Sequence, residues 1–176
     1  MTSDTYIWKC AEASVSHLDA YKLLTGGELS DDVIDAFVIR LWNKIETTNS
    51  YDQKIHVTRP WLAQAFLDGN REMVAKRMKE NVSQQKFLEC ERILIPIVSS
   101  GHWHMSNWRL GNLEHHVIVS VDTPQQGPTL DCGIFMIEFI NSIVEKRSIT
   151  IPEGDCAKYR AKFYATLLYA RDSPFL

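Results

Sequence analysis

Three side chains in the second half of the chain have the types and spacing of a thiol-based acyl-transfer site. Cys132 opens an almost continuously apolar segment, predicted to be a buried helix over 132–144, and Gln126 stands six residues before it. A thiol reacts as the thiolate, whose formation is favoured at a helix N-terminus. Gln126 offers amide N–H groups to a developing oxyanion. His102, which follows a short apolar strand, is the candidate base.

Each of these side chains also has an ordinary explanation. An isolated cysteine is usually a buried structural residue. Gln126 alone would be a turn residue after Pro124, and an isolated histidine is usually a surface or core residue. The combination of Asp131-Cys132-Gly133 with Gln126 at this distance favours catalysis over packing.

The segments around these residues resemble a known protease family. Residues 124–135 read Pro-Gln-Gln-Gly-Pro-Thr-Leu-Asp-Cys-Gly-Ile-Phe, and a strand, a small-residue turn and His102-Trp103 precede them. Both motifs resemble the ubiquitin-like protease family, which contains the SUMO-deconjugating, sentrin-specific cysteine proteases. The resemblance implies catalytic roles for His102, Gln126 and Cys132. It also implies that Trp103 roofs a narrow tunnel for the Gly-Gly tail of the modifier.

The resemblance covers most of residues 23–170, strongly over 92–104 and 121–140 and loosely elsewhere. It implies that Asp31, at the entry of an early helix, contacts the substrate. Glu28 stands where the family carries a second tunnel tryptophan, which is a departure from the family pattern.

The catalytic acid is the main departure. Family members carry an Asp at the end of the strand that follows His-Trp and insert a few dozen residues before Pro-Gln-Gln. This chain has no Asp between His102 and Asp122. Either Asp122 has moved into position and orients His102, or the acid is absent, and Glu114 is a poorer substitute. Loss of the acid costs a serine triad about 10⁴ in rate, whereas a thiol depends less on full general-base help.

The resemblance implies a thiol peptidase or isopeptidase that cleaves after the Gly-Gly tail of a ubiquitin-like modifier such as SUMO. Its partners would be SUMO or another ubiquitin-like protein and the conjugates of that protein. The alternatives are a catalytically dead module that binds such a modifier and a transposon-derived relic. We predict no cofactor and no metal, because the histidines at 102, 104, 115 and 116 fit no standard zinc pattern.

Composition is consistent with one intracellular domain. The 176 residues, 45% of them hydrophobic, can bury a single core. The formal net charge of −3 gives no support to a nucleic-acid partner, and the four cysteines lack the paired spacing of a disulfide framework. No signal peptide or membrane span is evident. We therefore expect a monomer in the nucleus or cytoplasm.

The elements predicted to position the site form an α+β domain, with a small mixed β-sheet packed between helices. The family resemblance implies the papain-like cysteine-protease superfold, with an N-terminal segment at 1–22 and a shortened catalytic domain at 23–176. Apolar periodicity predicts a helix from Asp31 to Ile45 with Ser30 as its N-cap. Pro96 indicates a strand end or edge. The other predicted elements are a short helix from Trp61, strands at 92–98, 102–108 and 117–121, and a final helix at 155–170.

Overall fold

The computed structural model describes residues 5–48, 51–70, 72–76, 89–109, 129–149, 151 and 154–169. Helices and strands alternate irregularly along these residues, and 72–76 are also helical. The strands are β1 (Tyr6–Lys9), β2 (Ser14–Ser16), β3 (Ile55–Val57), β4 (Arg92–Ser99) and β5 (His102–Arg109). The helices are α1 (His17–Thr25), α2 (Asp31–Thr47), α3 (Pro60–Leu67), α4 (Cys132–Val144) and α5 (Cys156–Leu168).

A three-stranded sheet has the strand order β3-β4-β5, and its strand β5 begins with His102, one of the predicted site residues. β3 pairs with β4 in parallel, and β4 pairs with β5 antiparallel. The sheet is therefore mixed, as predicted. β1 and β2 form a separate antiparallel hairpin. The predicted strand at 117–121 lies outside the described residues.

Pro96 lies inside β4 and pairs with Met105 of β5. β3 pairs with β4 only from Arg92 to Leu94. Beyond Leu94, β4 therefore has one unpaired side within the described part of the chain. Proline is tolerated on such an edge because it has no N–H to donate. Of the two predicted positions, Pro96 therefore lies at a strand edge and not at a strand end, since β4 continues to Ser99.

A two-residue turn joins β4 to β5 and fixes the start of β5. Ser99 pairs with His102, and the two residues between them, Ser100 and Gly101, have φ angles of 51° and 75°. Two successive positive φ values are typical of the tight turn whose twist matches antiparallel strands. The turn therefore presents His102 as the first residue of β5.

Helix α2 follows the predicted pattern, with one difference at its start. Its apolar face is buried, as the periodicity predicted. Ser30 is the N-cap residue, but its hydroxyl does not cap the helix and instead donates to Asp19 Oδ1 at 2.7 Å. Asp19 also belongs to the capping box that Ser16 forms at the start of α1. One carboxylate thus fastens the start of α2 to the start of α1.

The main hydrophobic core lies between α2, α4, α5 and the sheet. α4 begins and ends at the predicted residues and is buried on most sides. Trp8 and Val15 from the N-terminal hairpin belong to the same core. The segment before residue 23 therefore packs on the domain that follows it, and the boundary assigned there stays a prediction. No helix in the described ranges is both long enough and apolar enough to cross a membrane.

Candidate active site

Cys132 is the first residue of α4 and is 8% exposed. The first N–H groups of a helix have no partner within the helix, so they are available to an anion. α4 packs against β5, the strand that begins with His102. The prediction that Cys132 opens a buried helix is confirmed by these bounds.

Gly133 is packed tightly against the connection between α1 and α2. A Cβ atom placed on Gly133 would lie 2.9 Å from Leu29 Cδ1 and 3.1 Å from Leu29 Cβ. Real Cβ atoms essentially never lie closer than 3.0 Å to such a heavy atom, so the Cδ1 contact could not persist unchanged. The absence of a side chain at Gly133 therefore lets Leu29 approach the start of the cysteine helix.

Trp103, in strand β5, also contacts Leu29. Its indole Nε1 donates to the carbonyl oxygen of Leu29 at 2.9 Å, and the side chain is 5% exposed. Leu29 thus contacts the His-Trp strand through its carbonyl group and the cysteine helix through its side chain. We call Leu29, Trp103 and Gly133 the junction, because these three residues bring the two halves of the predicted site together.

His102 is exposed at the start of β5. The carboxylate of Glu28 lies beside the preceding turn, with Oε1 3.8 Å from the position of a Cβ on Gly101. Within the described part of the chain, His102 makes no ion pair with a carboxylate. The acid partner predicted for His102, Asp122, lies outside the described residues, and so does Gln126.

Asp31, the predicted substrate contact, is exposed at the first position of α2. Partial burial raises the pKa of Asp31 above its ordinary value, and the charge of Asp35 raises it further. Partial burial and the charges of Asp19, Asp35 and Asp31 raise the pKa of Asp32. Leu29 belongs to the α1–α2 connection and precedes Asp31 by two residues, so Asp31 lies close to the junction in the sequence.

Arg160 of α5 holds the residue before the cysteine. Its side chain is 2% exposed, and its Nε donates to Asp131 Oδ1 at 2.7 Å. No sequence motif singles out Arg160. Arg160 lies at helical spacing from Cys156 and Phe163, so the sequence pattern places a charged residue on the apolar face of α5. Its guanidinium nitrogens also donate to four carbonyl oxygens, of Leu130 at 2.8 Å, Gly27 at 2.9 Å, Leu23 at 3.2 Å and Lys22 at 3.4 Å.

A second thiol, that of Cys156, interacts with the Asp131 carboxylate. Burial raises the pKa of Cys156, and the charge of Asp131 and a hydrogen bond between the two side chains raise it further. The Asp131 carboxylate is therefore shared by Arg160 and Cys156. Although Asp131 is the N-cap residue of α4, its side chain makes no capping hydrogen bond.

A metal-binding group is absent from the described residues, and a cavity among them lies away from the predicted site residues. No three histidine, cysteine, aspartate or glutamate side chains within those residues are grouped closely enough to hold a metal ion. A cavity of about 80 Å³ between α2, α4 and α5 is lined by Phe37, Leu41, Phe163 and neighbouring residues. None of the predicted site residues lines this cavity, so we do not assign it to the reaction.

Comparisons with known proteins agree on one type of protein. The sequence model of the Ulp1 protease family, C-terminal catalytic domain, matches residues 109–172. A structure of the SUMO protease Ulp1 with its catalytic cysteine oxidised to a sulfenic acid has a TM-score of 0.74 and 16% identity. That match covers 94% of this chain and 89% of the other. The comparison with curated proteins found no match.

Two further solved structures give the same result. The C-terminal Ulp1 protease domain in complex with Smt3, the yeast ortholog of SUMO, has a TM-score of 0.75 and 15% identity, over 96% of this chain and 89% of the other. The Ulp1-like SUMO protease catalytic domain of Chaetomium thermophilum has a TM-score of 0.68 and 20% identity, over 96% and 84%. The resemblance seen in the sequence is thus confirmed, and the chain has the fold of the Ulp1-type SUMO protease catalytic domains.

Proposed function

We propose that this protein is a thiol peptidase or isopeptidase that cleaves after the Gly-Gly tail of a ubiquitin-like modifier such as SUMO. The observation that carries the proposal is the junction, in which Leu29 contacts both the strand that begins with His102 and the helix that begins with Cys132. The fold and the family match over 109–172 support the same reading. The similar Ulp1 domain was solved with Smt3, a SUMO ortholog, which supports this class of partner.

In the proposed reaction, His102 takes the proton of the Cys132 thiol, and the sulfur attacks the carbonyl carbon of the terminal glycine. The tetrahedral oxyanion is stabilised by N–H groups at the start of α4 and by the side-chain amide of Gln126. Its collapse breaks the bond to the leaving amine, which His102 protonates. Water, activated by His102, then hydrolyses the thioester and restores the thiol.

Substrate binding is proposed to involve Trp103 and Asp31. The indole N–H of Trp103 donates to the carbonyl oxygen of Leu29 in this chain, so the orientation of the ring does not depend on a residue of the partner. A rigid aromatic wall of this kind suits a tail without side chains, because only glycine fits a narrow passage. Asp31, exposed at the start of α2, would face a cationic residue on the body of the modifier.

The test of this proposal is turnover of a modifier that carries a fluorogenic amide at its C-terminal glycine, with SUMO and ubiquitin compared. We expect release of the fluorophore from at least one modifier by the wild-type protein, and none by Cys132→Ala. Cys156→Ala is the matched control, because it removes a thiol close to the same carboxylate and should retain turnover. Loss of turnover in Cys156→Ala with retention in Cys132→Ala would contradict the assignment.

The second candidate is a module that binds a ubiquitin-like protein without cleaving it. The specific observation in its favour is that the sequence has no Asp between His102 and Asp122, the interval in which the resembling family carries its catalytic acid. Calorimetric titration of the folded protein with SUMO distinguishes the two candidates. Binding without turnover, unchanged by Cys132→Ala, supports the module, whereas turnover supports the peptidase.

A further inference from the structure

Asp131 occupies the position from which an aspartate normally caps a helix. The side chain of an N-cap aspartate usually accepts a hydrogen bond from the second or third N–H of the helix, here Gly133 or Ile134. The Asp131 carboxylate makes no such bond. It is turned toward Arg160, whose Nε lies 2.7 Å from Oδ1, and toward the thiol of Cys156.

This orientation matters because the capped form would place a negative charge within one turn of the Cys132 sulfur. A carboxylate there would oppose the helix dipole and disfavour the thiolate. It would also occupy N–H groups on which anion stabilisation at the start of the helix depends. The side chain that could form this cap directly precedes the nucleophile, so another group must hold it away.

We propose that Arg160 is a positioning residue that holds the Asp131 carboxylate away from the start of α4, so that the first N–H groups of the helix remain open to the Cys132 thiolate and to the oxyanion. The inference rests on the proposed function, since it concerns the nucleophile of that reaction. Arg160 suits the role because its guanidinium is also fixed by the carbonyl oxygens of Leu130, Leu23 and Gly27. It therefore cannot follow the carboxylate toward the helix.

The elements packed around the start of α4 contribute other ionisable groups. α5 supplies Cys156 as well as Arg160, β5 supplies His102, and the connection between α1 and α2 supplies Glu28. A change in thiol reactivity must therefore be assigned to Asp131 by a variant of Asp131 itself. A double-mutant cycle between Arg160 and Asp131 achieves this.

The measurement is the rate at which iodoacetamide alkylates Cys132, followed peptide by peptide with mass spectrometry as the pH is raised. It needs no substrate and no turnover, so it can succeed or fail independently of the proposed function. In Arg160→Met we expect the Cys132 rate at pH 7 to fall about tenfold, because a carboxylate at the start of the helix would disfavour the reactive thiolate. In Arg160→Met with Asp131→Ala, we expect the rate to return to within about threefold of wild type, because alanine cannot cap the helix.

Two results would overturn the proposal. One is an unchanged Cys132 rate in Arg160→Met, and the other is a slow rate that persists in the double variant. Asp131→Ala alone provides a second arm should Arg160→Met fail to fold. The proposal predicts that Cys132 in this variant reacts as fast as wild type or faster, and a tenfold loss would show instead that the carboxylate itself is needed.

Arg59→Met is the matched control for the loss of a buried arginine. Arg59 is 10% exposed and pairs with Asp35 and Glu12, on elements other than α4 and α5. We expect it to lower stability while leaving the Cys132 alkylation rate within twofold of wild type. An equal loss of thiol reactivity in Arg59→Met would assign the effect of Arg160 to general destabilisation and reject the positioning role.

Discussion

At the scale of single residues, the site combines two cysteines with different surroundings. Cys132 stands at the open end of a helix, where anions are favoured. Cys156 is close to the Asp131 carboxylate, and burial and this charge raise its pKa. The raised pKa makes the Cys156 thiol poorly suited to attack a carbonyl group at neutral pH.

Competitive alkylation should separate the two thiols. At pH 7 we expect iodoacetamide to modify Cys132 at least about tenfold faster than Cys156, because the raised pKa of Cys156 leaves little of that thiol as thiolate. Since a raised pKa shifts thiolate formation to higher pH, Cys156 should gain reactivity only in more alkaline buffer. Peptide mapping measures both rates in one sample, and equal rates at pH 7 would contradict this description of the site.

A second prediction at this scale concerns Asp31. We expect Asp31→Asn to weaken binding of the modifier to the Cys132→Ala protein by about fivefold, the effect of losing one exposed charge pair. Because the pKa of Asp31 is raised by partial burial and by Asp35, wild-type binding should decline on acidification at a higher pH than an ordinary aspartate would cause.

Calorimetry against salt and pH measures the effect of Asp31→Asn, and Asp32→Asn is the matched control. Asp32 is the next residue, is also exposed, and has its pKa raised in the same direction. Equal losses in the two variants would indicate a general effect of negative charge and would remove the specific role of Asp31.

At the scale of elements, the junction holds the His-Trp strand, the α1–α2 connection and the cysteine helix together. Glycine to alanine near a helix start is usually neutral or favourable. At Gly133 we expect Gly133→Ala to lower the free energy of unfolding by about 1–3 kcal/mol, because the new methyl group would overlap Leu29. Urea denaturation measures this loss.

The control for Gly133→Ala is Leu29→Ala, alone and combined with Gly133→Ala. If the overlap is the cause, the second substitution should cost less in the Leu29→Ala background than in wild type. Strictly additive losses would show that the two residues do not interact and that the junction is wrongly described.

The elements differ in how far the sequence predicted them. α2 and α4 were predicted because their apolar residues recur with clear helical spacing or fill the whole segment. β1, β2 and β3 have four residues or fewer, too few to show a period. The start of α1 did carry a signal, Ser16 followed by Asp19, which form a capping box.

The site was predictable where motifs carry it and not where contacts between distant segments carry it. His102 and Cys132 were proposed from their neighbours in the sequence, and the structure places them at the starts of β5 and α4. The role of Arg160 depends on backbone carbonyl groups more than 100 residues away, which no local pattern announces. Leu29 acts through its carbonyl oxygen, which every residue type carries, and through the approach of its side chain to a glycine more than 100 residues away in the sequence.

At the scale of the whole molecule, Asp19 connects the first two helices and makes stability depend on pH. Burial alone would raise the pKa of Asp19, but hydrogen bonds from Ser16 and Ser30 hold it below its ordinary value. A lowered folded-state pKa stabilises the protein above the unfolded-state pKa, and this contribution is lost as the pH falls through the folded-state pKa.

Asp19→Ala should therefore destabilise the protein at pH 7 by about 1 kcal/mol, the usual cost of losing a capping interaction. The difference from wild type should shrink below the ordinary aspartate pKa of about 3.9. Denaturation of both proteins across this pH range measures it. A difference that stays constant down to the lowest pH at which both proteins fold would exclude the carboxylate as its source.

For the molecule as a whole, we propose that Cys132 is the nucleophile of a protease specific for a ubiquitin-like protein. The most direct test is reaction of the whole chain with SUMO, and separately with ubiquitin, each carrying an electrophile at its C-terminal glycine. Wild type, Cys132→Ala and Asp122→Asn are compared by intact mass. We predict a covalent adduct with at least one modifier that maps to Cys132 and is absent in Cys132→Ala. A folded protein that forms no adduct with either modifier, or forms one through another cysteine, would contradict the claim.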